Sequence, residues 1–152
     1  MTNPCQNGSY CPAGSKIPAP ITCPKGYHCP TGSPYPQPCI NGYYTNSTGA
    51  SSCLVCPDGF SCLPLNFTNS NASDVGYHDC PRGFYCPAGT GSDMKKCPSG
   101  TYSNETRLYV VNQCKDCDPG MYCDGNLLVK TNGPCGAGYY CKIGKCCLQP
   151  FC

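Results

Sequence analysis

The stretch Cys80-Pro-Arg-Gly-Phe-Tyr-Cys86 carries a pattern, Cys-x-x-Gly-x-x-Cys, that recurs along almost the whole chain. A glycine at a fixed place between two cysteines predicts a tight turn that needs a positive φ or a close backbone approach. An aromatic residue follows the glycine one or two positions later and is expected to lie over a neighbouring disulfide or strand. The six copies of the pattern are Cys5–Cys11, Cys23–Cys29, Cys56–Cys62, Cys80–Cys86, Cys117–Cys123 and Cys135–Cys141.

Cysteine content indicates the class of protein. The 152 residues include 19 Cys, 18 Gly and 17 Pro, whereas only 20 are Leu, Ile, Val or Phe. Cysteine above roughly 8–10% of a short chain is typical of a disulfide scaffold. So few large apolar residues cannot offset the roughly 1–2 kcal/mol of backbone entropy that each ordered residue loses. Covalent cross-links are therefore expected to stabilise the fold in place of a large core.

Zinc is the alternative use of so many cysteines. Structural zinc takes four ligands in two close pairs, often with histidine. Cys53 and Cys56, and likewise Cys114 and Cys117, have such pair spacing, but the chain has only two histidines and most other cysteines are separated by five residues. Disulfides are therefore favoured, and no metal or other cofactor is expected. Disulfides in turn indicate an oxidising compartment.

Sequons for N-glycosylation agree with a secreted or cell-surface glycoprotein that carries covalent N-glycans. The chain has five of them, with acceptors Asn7, Asn46, Asn66, Asn71 and Asn104. Attachment at such sites is typical of surface loops in secreted proteins.

Charge and motifs exclude several other functions. A net charge of +2 without a basic patch argues against nucleic-acid binding, and no apolar run reaches the roughly 20 residues of a membrane span. His28 and His78 have no nucleophile beside them, paired carboxylates and calcium loops are absent from the sequence, and no enzyme is expected. No signal peptide follows Met1, so we expect a segment of a longer exported precursor.

A second motif lies between the Cys-x-x-Gly-x-x-Cys segments and reveals an internal repeat. Cys39-Ile-Asn-Gly-Tyr-Tyr-Thr-Asn46 matches Cys97-Pro-Ser-Gly-Thr-Tyr-Ser-Asn104, and equivalent cysteines are 58 or 55 residues apart. Repeats of this length predict a linear array. The predicted segments are a partial repeat at 1–38, full repeats at 39–96 and 97–141, and a Cys-rich tail or start of a further unit at 142–152.

The motifs Cys-Pro-x-Gly-Phe/Tyr-x-Cys and Cys-x-x-Gly-x-Tyr-x-Asn, over roughly residues 5–141, resemble the ephrin-receptor-like cysteine-rich repeat, a relative of tumour necrosis factor receptor cysteine-rich domains. In that family the cysteines of a unit pair first to second, third to fifth and fourth to sixth. The residues by themselves leave many pairings open. The resemblance implies the pairs Cys5–Cys23, Cys11–Cys29, Cys39–Cys53, Cys56–Cys80, Cys62–Cys86, Cys97–Cys114, Cys117–Cys135 and Cys123–Cys141.

Cys146, Cys147 and Cys152 remain outside this pairing. One interpretation pairs Cys146 or Cys147 with Cys152 and leaves the other cysteine to form an interchain disulfide. The other interpretation places their partners in a part of the protein beyond this sequence.

These observations predict a small disulfide-rich fold, an elongated tandem array of short β-ribbons and turns with little or no helix. Short strands are expected at residues 107–112 and 126–130, where Leu, Val and Tyr cluster. The expected function is that of a structural extracellular glycoprotein, a subunit of a fibre, coat or surface appendage that contacts copies of itself or neighbouring repeats. A receptor or adhesin module that binds a protein or glycan is the alternative.

Overall fold

The structure is a computed structural model that describes residues 5–14, 19–64, 77–123, 129–131, 133–136 and 141. Over these residues the regular structure consists of short antiparallel strands and one 3-10 helix, with no α-helix. The predicted class, a small disulfide-rich fold of two-stranded ribbons and turns, is confirmed.

The described ranges contain seven ribbons of two strands, each formed by strands that are neighbours along the chain. β1 pairs with β2, and the same holds for each following couple up to β13 and β14. The strands are β1 (Ser9–Tyr10), β2 (Ile21–Thr22), β3 (Tyr27–His28), β4 (Gln37–Pro38), β5 (Tyr43–Tyr44), β6 (Leu54–Val55), β7 (Phe60–Cys62), β8 (Tyr77–Asp79), β9 (Phe84–Tyr85), β10 (Lys95–Lys96), β11 (Thr101–Tyr102), β12 (Lys115–Asp116), β13 (Met121–Tyr122) and β14 (Gly133–Pro134).

The chain divides into two compact units. Unit 1 comprises Met1–Cys56 and Cys62–His78, and unit 2 comprises Pro57–Ser61 and Asp79–Cys152. The segments predicted from the repeat, 1–38, 39–96, 97–141 and 142–152, stay a prediction, and residues 142–152 lie outside the described part of the chain.

A glycine with positive φ stands at the centre of every described turn of the two repeat motifs. The φ angles lie between 79° and 88°, which confirms the tight turn that the fixed glycine predicts. These turn glycines are Gly8, Gly26, Gly42, Gly59, Gly83, Gly100 and Gly120.

Each turn glycine is held by the following turn through both of its backbone polar groups. The Gly8 N–H donates to the Cys29 carbonyl oxygen at 2.9 Å, and the Gly8 carbonyl accepts from the Cys23 N–H at 2.9 Å. We call this pair of hydrogen bonds the glycine clasp. In unit 1 the clasp recurs at Gly26 and Gly42, and in unit 2 it recurs at Gly59, Gly83, Gly100 and Gly120.

The remaining backbone groups of the clasping cysteines bind a loop further along the chain. The Cys23 carbonyl accepts from the Gly49 N–H at 2.8 Å, and the Cys29 N–H donates to the Ala50 carbonyl at 2.9 Å. In unit 2, Arg107 and Leu108 bind Cys80 and Cys86 in the same way. Buried backbone groups are thus satisfied without long strands, which lets a chain with a small core stay folded.

The buried side chains are mostly cysteines, with aromatic rings packed against them. Tyr27 is buried with Cys23 and Cys29, and Tyr10 packs on that cluster. Tyr85 packs on a cluster of Cys97, Cys114 and Leu108, and Tyr102 packs on Cys117 and Cys123. The expectation that the aromatic residues cover disulfides is confirmed at these positions.

The disulfides correct most of the pairing that the family resemblance implies. Six bonds join the two cysteines of one Cys-x-x-Gly-x-x-Cys segment: Cys5–Cys11, Cys23–Cys29, Cys56–Cys62, Cys80–Cys86, Cys117–Cys123 and Cys135–Cys141. The implied pairs Cys5–Cys23, Cys11–Cys29, Cys56–Cys80, Cys62–Cys86, Cys117–Cys135 and Cys123–Cys141 are therefore wrong. The physical reason is the glycine turn, which reverses the chain so that the two Cα atoms of each segment lie 5.7–6.2 Å apart, within disulfide range.

Two implied pairs are present, Cys39–Cys53 and Cys97–Cys114. Each links a turn's first cysteine to a cysteine 14 or 17 residues later, and so closes a longer loop than the other bonds.

The strand predicted at residues 107–112 is wrong. Val111–Gln113 forms a 3-10 helix, and the Gln113 side-chain oxygen accepts hydrogen bonds from the N–H groups of Tyr109 and Val110. A side chain thus takes the donors that a partner strand would need. Of the strand predicted at 126–130, residues 126–128 lie outside the described residues, and Val129 and Lys130 form a bend.

Two alanine substitutions separate the close approach at a clasp from the cost of positive φ. Gly59 and Gly120 have φ of 80° and 79°, but a Cβ at Gly59 would lie 2.8 Å from the Arg107 carbonyl oxygen, whereas a Cβ at Gly120 would meet nothing within 4 Å. Both variants should lose about 1–2 kcal/mol of unfolding free energy from the left-handed backbone, and Gly59→Ala should lose more than Gly120→Ala. Denaturant unfolding with intact disulfides measures both, and equal losses would contradict the close approach.

Peptide mapping of the unreduced protein tests the corrected pairing. Trypsin cleaves after Lys16 and after Lys25, and the second cut lies inside the Cys23–Cys29 loop. Peptide 1–16, which contains Cys5 and Cys11, should therefore be recovered free without reduction, and peptide 17–25 should stay joined to peptide 26–82. Recovery of peptide 1–16 joined to peptide 17–25 would instead support the pairing carried over from the family.

Candidate functional site

Three of the five predicted glycan acceptors lie in the described part of the chain. Asn7, Asn46 and Asn104 are all exposed, as an acceptor for a glycan must be. Asn66 and Asn71 lie outside the described residues. Asn7 precedes the turn glycine Gly8, whereas Asn46 and Asn104 occupy equivalent positions in the two copies of the second motif.

Asn46 and Asn104 each follow a buried hydroxyl residue that stands where other turns have their second cysteine. Thr45 is 1% exposed and Ser103 is 2% exposed. The Thr45 hydroxyl accepts from the Ser47 N–H at 3.4 Å, and the Ser103 hydroxyl accepts from the Glu105 N–H at 3.2 Å. The hydroxyl thus turns the chain outward directly after it, which exposes the asparagine.

The absence of sulfur at Thr45 and Ser103 also redirects the disulfides. Cys39 and Cys97 open these turns, and each bonds to a later cysteine, Cys53 or Cys114, instead of closing its own turn. Each acceptor asparagine therefore lies within a loop that a disulfide closes. No signal in the cysteine spacing alone distinguishes Thr45 and Ser103 from other loop hydroxyls, which is why their role was missed.

The two equivalent acceptors have different surroundings. Lys115 donates to the Asn104 side-chain oxygen at 3.2 Å and to the Glu105 carboxylate, and the hydrogen bond that it donates to Glu105 raises the pKa of Lys115. Lys115 pairs with Tyr102 in the β11–β12 ribbon, whereas Leu54 holds the corresponding register position opposite Tyr44 in β6. Asn104 is thus bordered by charges and Asn46 by an apolar ribbon.

That apolar ribbon is a feature that the sequence analysis missed. Ile40 and Leu54 are 67% and 56% exposed, and Tyr43 and Val55, which face each other across β5 and β6, are exposed as well. Single exposed apolar residues are ordinary, but several on one ribbon are typical of a contact surface.

His28 lies beside the Cys39–Cys53 disulfide. Its Nδ1 atom is 3.3 Å from the Cys53 Sγ and 3.1 Å from the Gln37 carbonyl oxygen. The possible ligand atoms of His28, Cys39 and Cys53 lie within 4.8 Å of one another. Because the two sulfurs are bonded to each other, neither is available as a thiolate, so the group in this state is a histidine against a disulfide. No motif in the sequence indicates this contact between His28 and a disulfide.

Asp79, next to His78 in sequence, forms an ion pair with an arginine. His78 is exposed in β8, and the Asp79 carboxylate pairs with the Arg107 guanidinium at 2.9 Å. Arg107 also lies over the Phe60 ring, 4.9 Å from its centroid. Asp79 therefore holds Arg107 in place.

The tail cysteines Cys146, Cys147 and Cys152 lie outside the described residues, so neither interpretation of them is tested. Within the described ranges, no helix is long and apolar enough to cross a bilayer. Comparison of the chain with protein-family models and with curated protein sequences finds no match. The resemblance to ephrin-receptor-like repeats stays a prediction from the motifs.

Substitution of the buried hydroxyls tests their structural role. Thr45→Val keeps the side-chain shape but leaves the Ser47 N–H without its acceptor. We expect a loss of about 1–2 kcal/mol of unfolding free energy, the cost of an unmade hydrogen bond in a buried site. Thr22→Val, the same substitution at an exposed position of β2 outside any sequon, is the matched control and should change stability by less than about 0.5 kcal/mol. Equal effects in chemical denaturation would refute the assigned role.

Proposed function

We propose that this chain is a structural glycoprotein of the extracellular space or cell surface, and not an enzyme. The observation that carries the proposal is the glycine clasp. Each turn binds the next through backbone groups, so most side chains are not needed to form a packed core. Such a build suits a protein whose role is to extend, space and present a surface.

The disulfides indicate the compartment. The described residues form eight of them, and disulfides at this density persist in oxidising environments. The exposed acceptors Asn7, Asn46 and Asn104 support attachment of N-glycans to the same protein. Secretion is the route that supplies both modifications.

Assembly with other copies is supported by two features. The 152 residues contain 19 cysteines, an odd number, so at least one of them forms its disulfide outside this sequence or stays a thiol. The eight described disulfides use sixteen cysteines, which leaves the candidates Cys146, Cys147 and Cys152. The exposed apolar ribbon formed by β5 and β6 offers a surface that a neighbouring chain can cover. We propose a fibre, coat or surface appendage as the assembly.

A receptor or adhesin module is the second candidate. The exposed Ile40, Tyr43, Leu54 and Val55 favour it, because a protein ligand would bury the same ribbon. The resemblance of the motifs to ephrin-receptor-like repeats supports it as well. Under this proposal the partner is a different protein, and regular polymers do not form.

Gel mobility and electron microscopy of native material distinguish the two functions. A structural subunit should migrate as a dimer or larger species without reductant and as a monomer with reductant, and it should form regular filaments or sheets. The variant with Cys146, Cys147 and Cys152 all changed to Ser should lose the covalent species. The matched control changes three other residues of the same tail, Lys145, Leu148 and Gln149, to Ser and should keep the reductant-sensitive species. A clean monomer without reductant, together with no regular assemblies on grids, would favour the receptor module.

A further inference from the structure

The two long-loop disulfides occupy equivalent places but differ in what covers them. Cys39–Cys53 and Cys97–Cys114 each close the loop after a turn that lacks its second cysteine. The residue five positions after the first cysteine of the preceding turn lies against each bond. This residue is His28 in unit 1 and Tyr85 in unit 2.

The bond in unit 2 is shielded. Cys97 and Cys114 are 4% and 8% exposed, and the buried Leu108 and the ring of Tyr85 pack on them. In unit 1 the place of Leu108 is taken by Ala50, since the Cys29 N–H donates to Ala50 as the Cys86 N–H donates to Leu108. The smaller side chain leaves Cys53 partly exposed. An external thiol therefore has access to a sulfur of Cys39–Cys53 that it lacks at Cys97–Cys114.

His28 also favours the opened form of the bond. The Gln37 carbonyl oxygen can only accept a hydrogen bond, so the Nδ1 atom 3.1 Å away carries a hydrogen. The same N–H lies 3.3 Å from the Cys53 sulfur. A disulfide sulfur is a weak acceptor and a thiolate is a strong one, so the contact stabilises the reduced state more than the oxidised state. A tyrosine ring packed on sulfur offers no such donor from its apolar face.

We propose that Cys39–Cys53 is a thiol–disulfide exchange site for an external thiol, and that His28 promotes its opening. A thiolate of the reagent attacks one sulfur, a new S–S bond forms, and the Cys39–Cys53 bond breaks with the other sulfur leaving as a thiolate. A second thiol of the reagent resolves the mixed disulfide. Two reagent thiols become one disulfide, and Cys39 and Cys53 become thiols, so electrons and protons balance.

Opening of this bond has a local consequence in unit 1. The loop that it closes contains the acceptor Asn46, and it supplies the Gly49 N–H and the Ala50 carbonyl that bind Cys23 and Cys29. Reduction frees one end of that loop, while the clasp at Gly8 has both of its partners, Cys23 and Cys29, outside the loop. The site is therefore a point at which a thiol loosens one loop without unfolding the array of turns. The inference rests on the geometry of unit 1 and not on the proposed function.

Graded reduction tests the proposal on the wild-type chain. The protein is equilibrated with increasing dithiothreitol, trapped with iodoacetamide, and digested for mass spectrometry of each cysteine. Cys39 and Cys53 should be alkylated before Cys97 and Cys114, the equivalent pair in unit 2. The reductant concentration for half-reduction should be about tenfold lower than for Cys97–Cys114, the size expected of one hydrogen bond to a charged group. Earlier or equal reduction of Cys97–Cys114 overturns the proposal.

Reciprocal variants assign the effect to His28. His28→Tyr installs the residue found at the equivalent place in unit 2 and should raise the half-reduction concentration of Cys39–Cys53 about tenfold. His78→Tyr, at an exposed position, is the control and should leave it unchanged. Resistance of Cys23–Cys29 and Cys80–Cys86, whose four cysteines are fully buried, in the same digest shows that a variant is folded. An unchanged half-reduction concentration of Cys39–Cys53 in a folded His28→Tyr protein refutes the role of His28. If that variant misfolds, the order of reduction in the wild-type protein decides the proposal.

Discussion

The contacts between successive turns in this protein depend on the two backbone hydrogen bonds of the turn glycine. Its N–H and its carbonyl both bind the next turn, and the positive φ that aims them there is one that glycine adopts without a steric cost. At five of the seven described clasps, a disulfide joins the two residues of the next turn that supply the donor and the acceptor. At Gly26 and Gly83 the next turn has no disulfide across it, and the clasp forms all the same.

Disulfides within a turn and hydrogen bonds between turns have separate roles. A bond between cysteines six residues apart closes a short loop, so it restricts the unfolded chain less than the bonds that close 14 or 17 residues. It stabilises the turn itself and joins nothing to the next one. Cohesion along the chain is left to the backbone clasps and to the aromatic rings that cover the sulfurs. Loss of one loop disulfide should then loosen its own surroundings and leave the other turns in place.

The sequence predicted the class of fold and the turns, because both follow from residue types with strong local preferences. A glycine between cysteines predicted positive φ at Gly8 and Gly59, and the scarcity of aliphatic residues predicted covalent cross-links in place of a large core. The disulfide pairing failed because it was carried over from a family, whereas the chain's own turn geometry already brings the two cysteines of each segment together.

Other features depended on contacts that no local pattern reveals. Arg107 has a φ of 66° at the place where Gly49 stands in unit 1, and its ion pair with Asp79 and its position over Phe60 offset a strained backbone. An arginine in a cluster of Leu, Tyr and Val predicted a strand instead. The contact of His28 with Cys53 likewise joins residues 25 positions apart, and only the folding of β3 onto β4 beside the loop disulfide brings them together.

The candidate functions all lie where the repeat is broken. Replacement of a cysteine by Thr45 or Ser103 keeps the clasp, since Gly26 and Gly83 bind the backbone carbonyl of those residues and not their side chains. It nevertheless releases a sulfur to a distant partner, exposes an asparagine directly afterwards, and creates a loop that differs between the two units. A backbone-held array can accept such substitutions because its cohesion does not depend on the side chain at that position. Because of the same property, the loop closed by Cys39–Cys53 has an apolar ribbon and a histidine beside its disulfide. The equivalent loop closed by Cys97–Cys114 has charged residues beside its asparagine and a shielded disulfide. Two equivalent loops can therefore diverge in function while the backbone hydrogen bonds between turns stay the same.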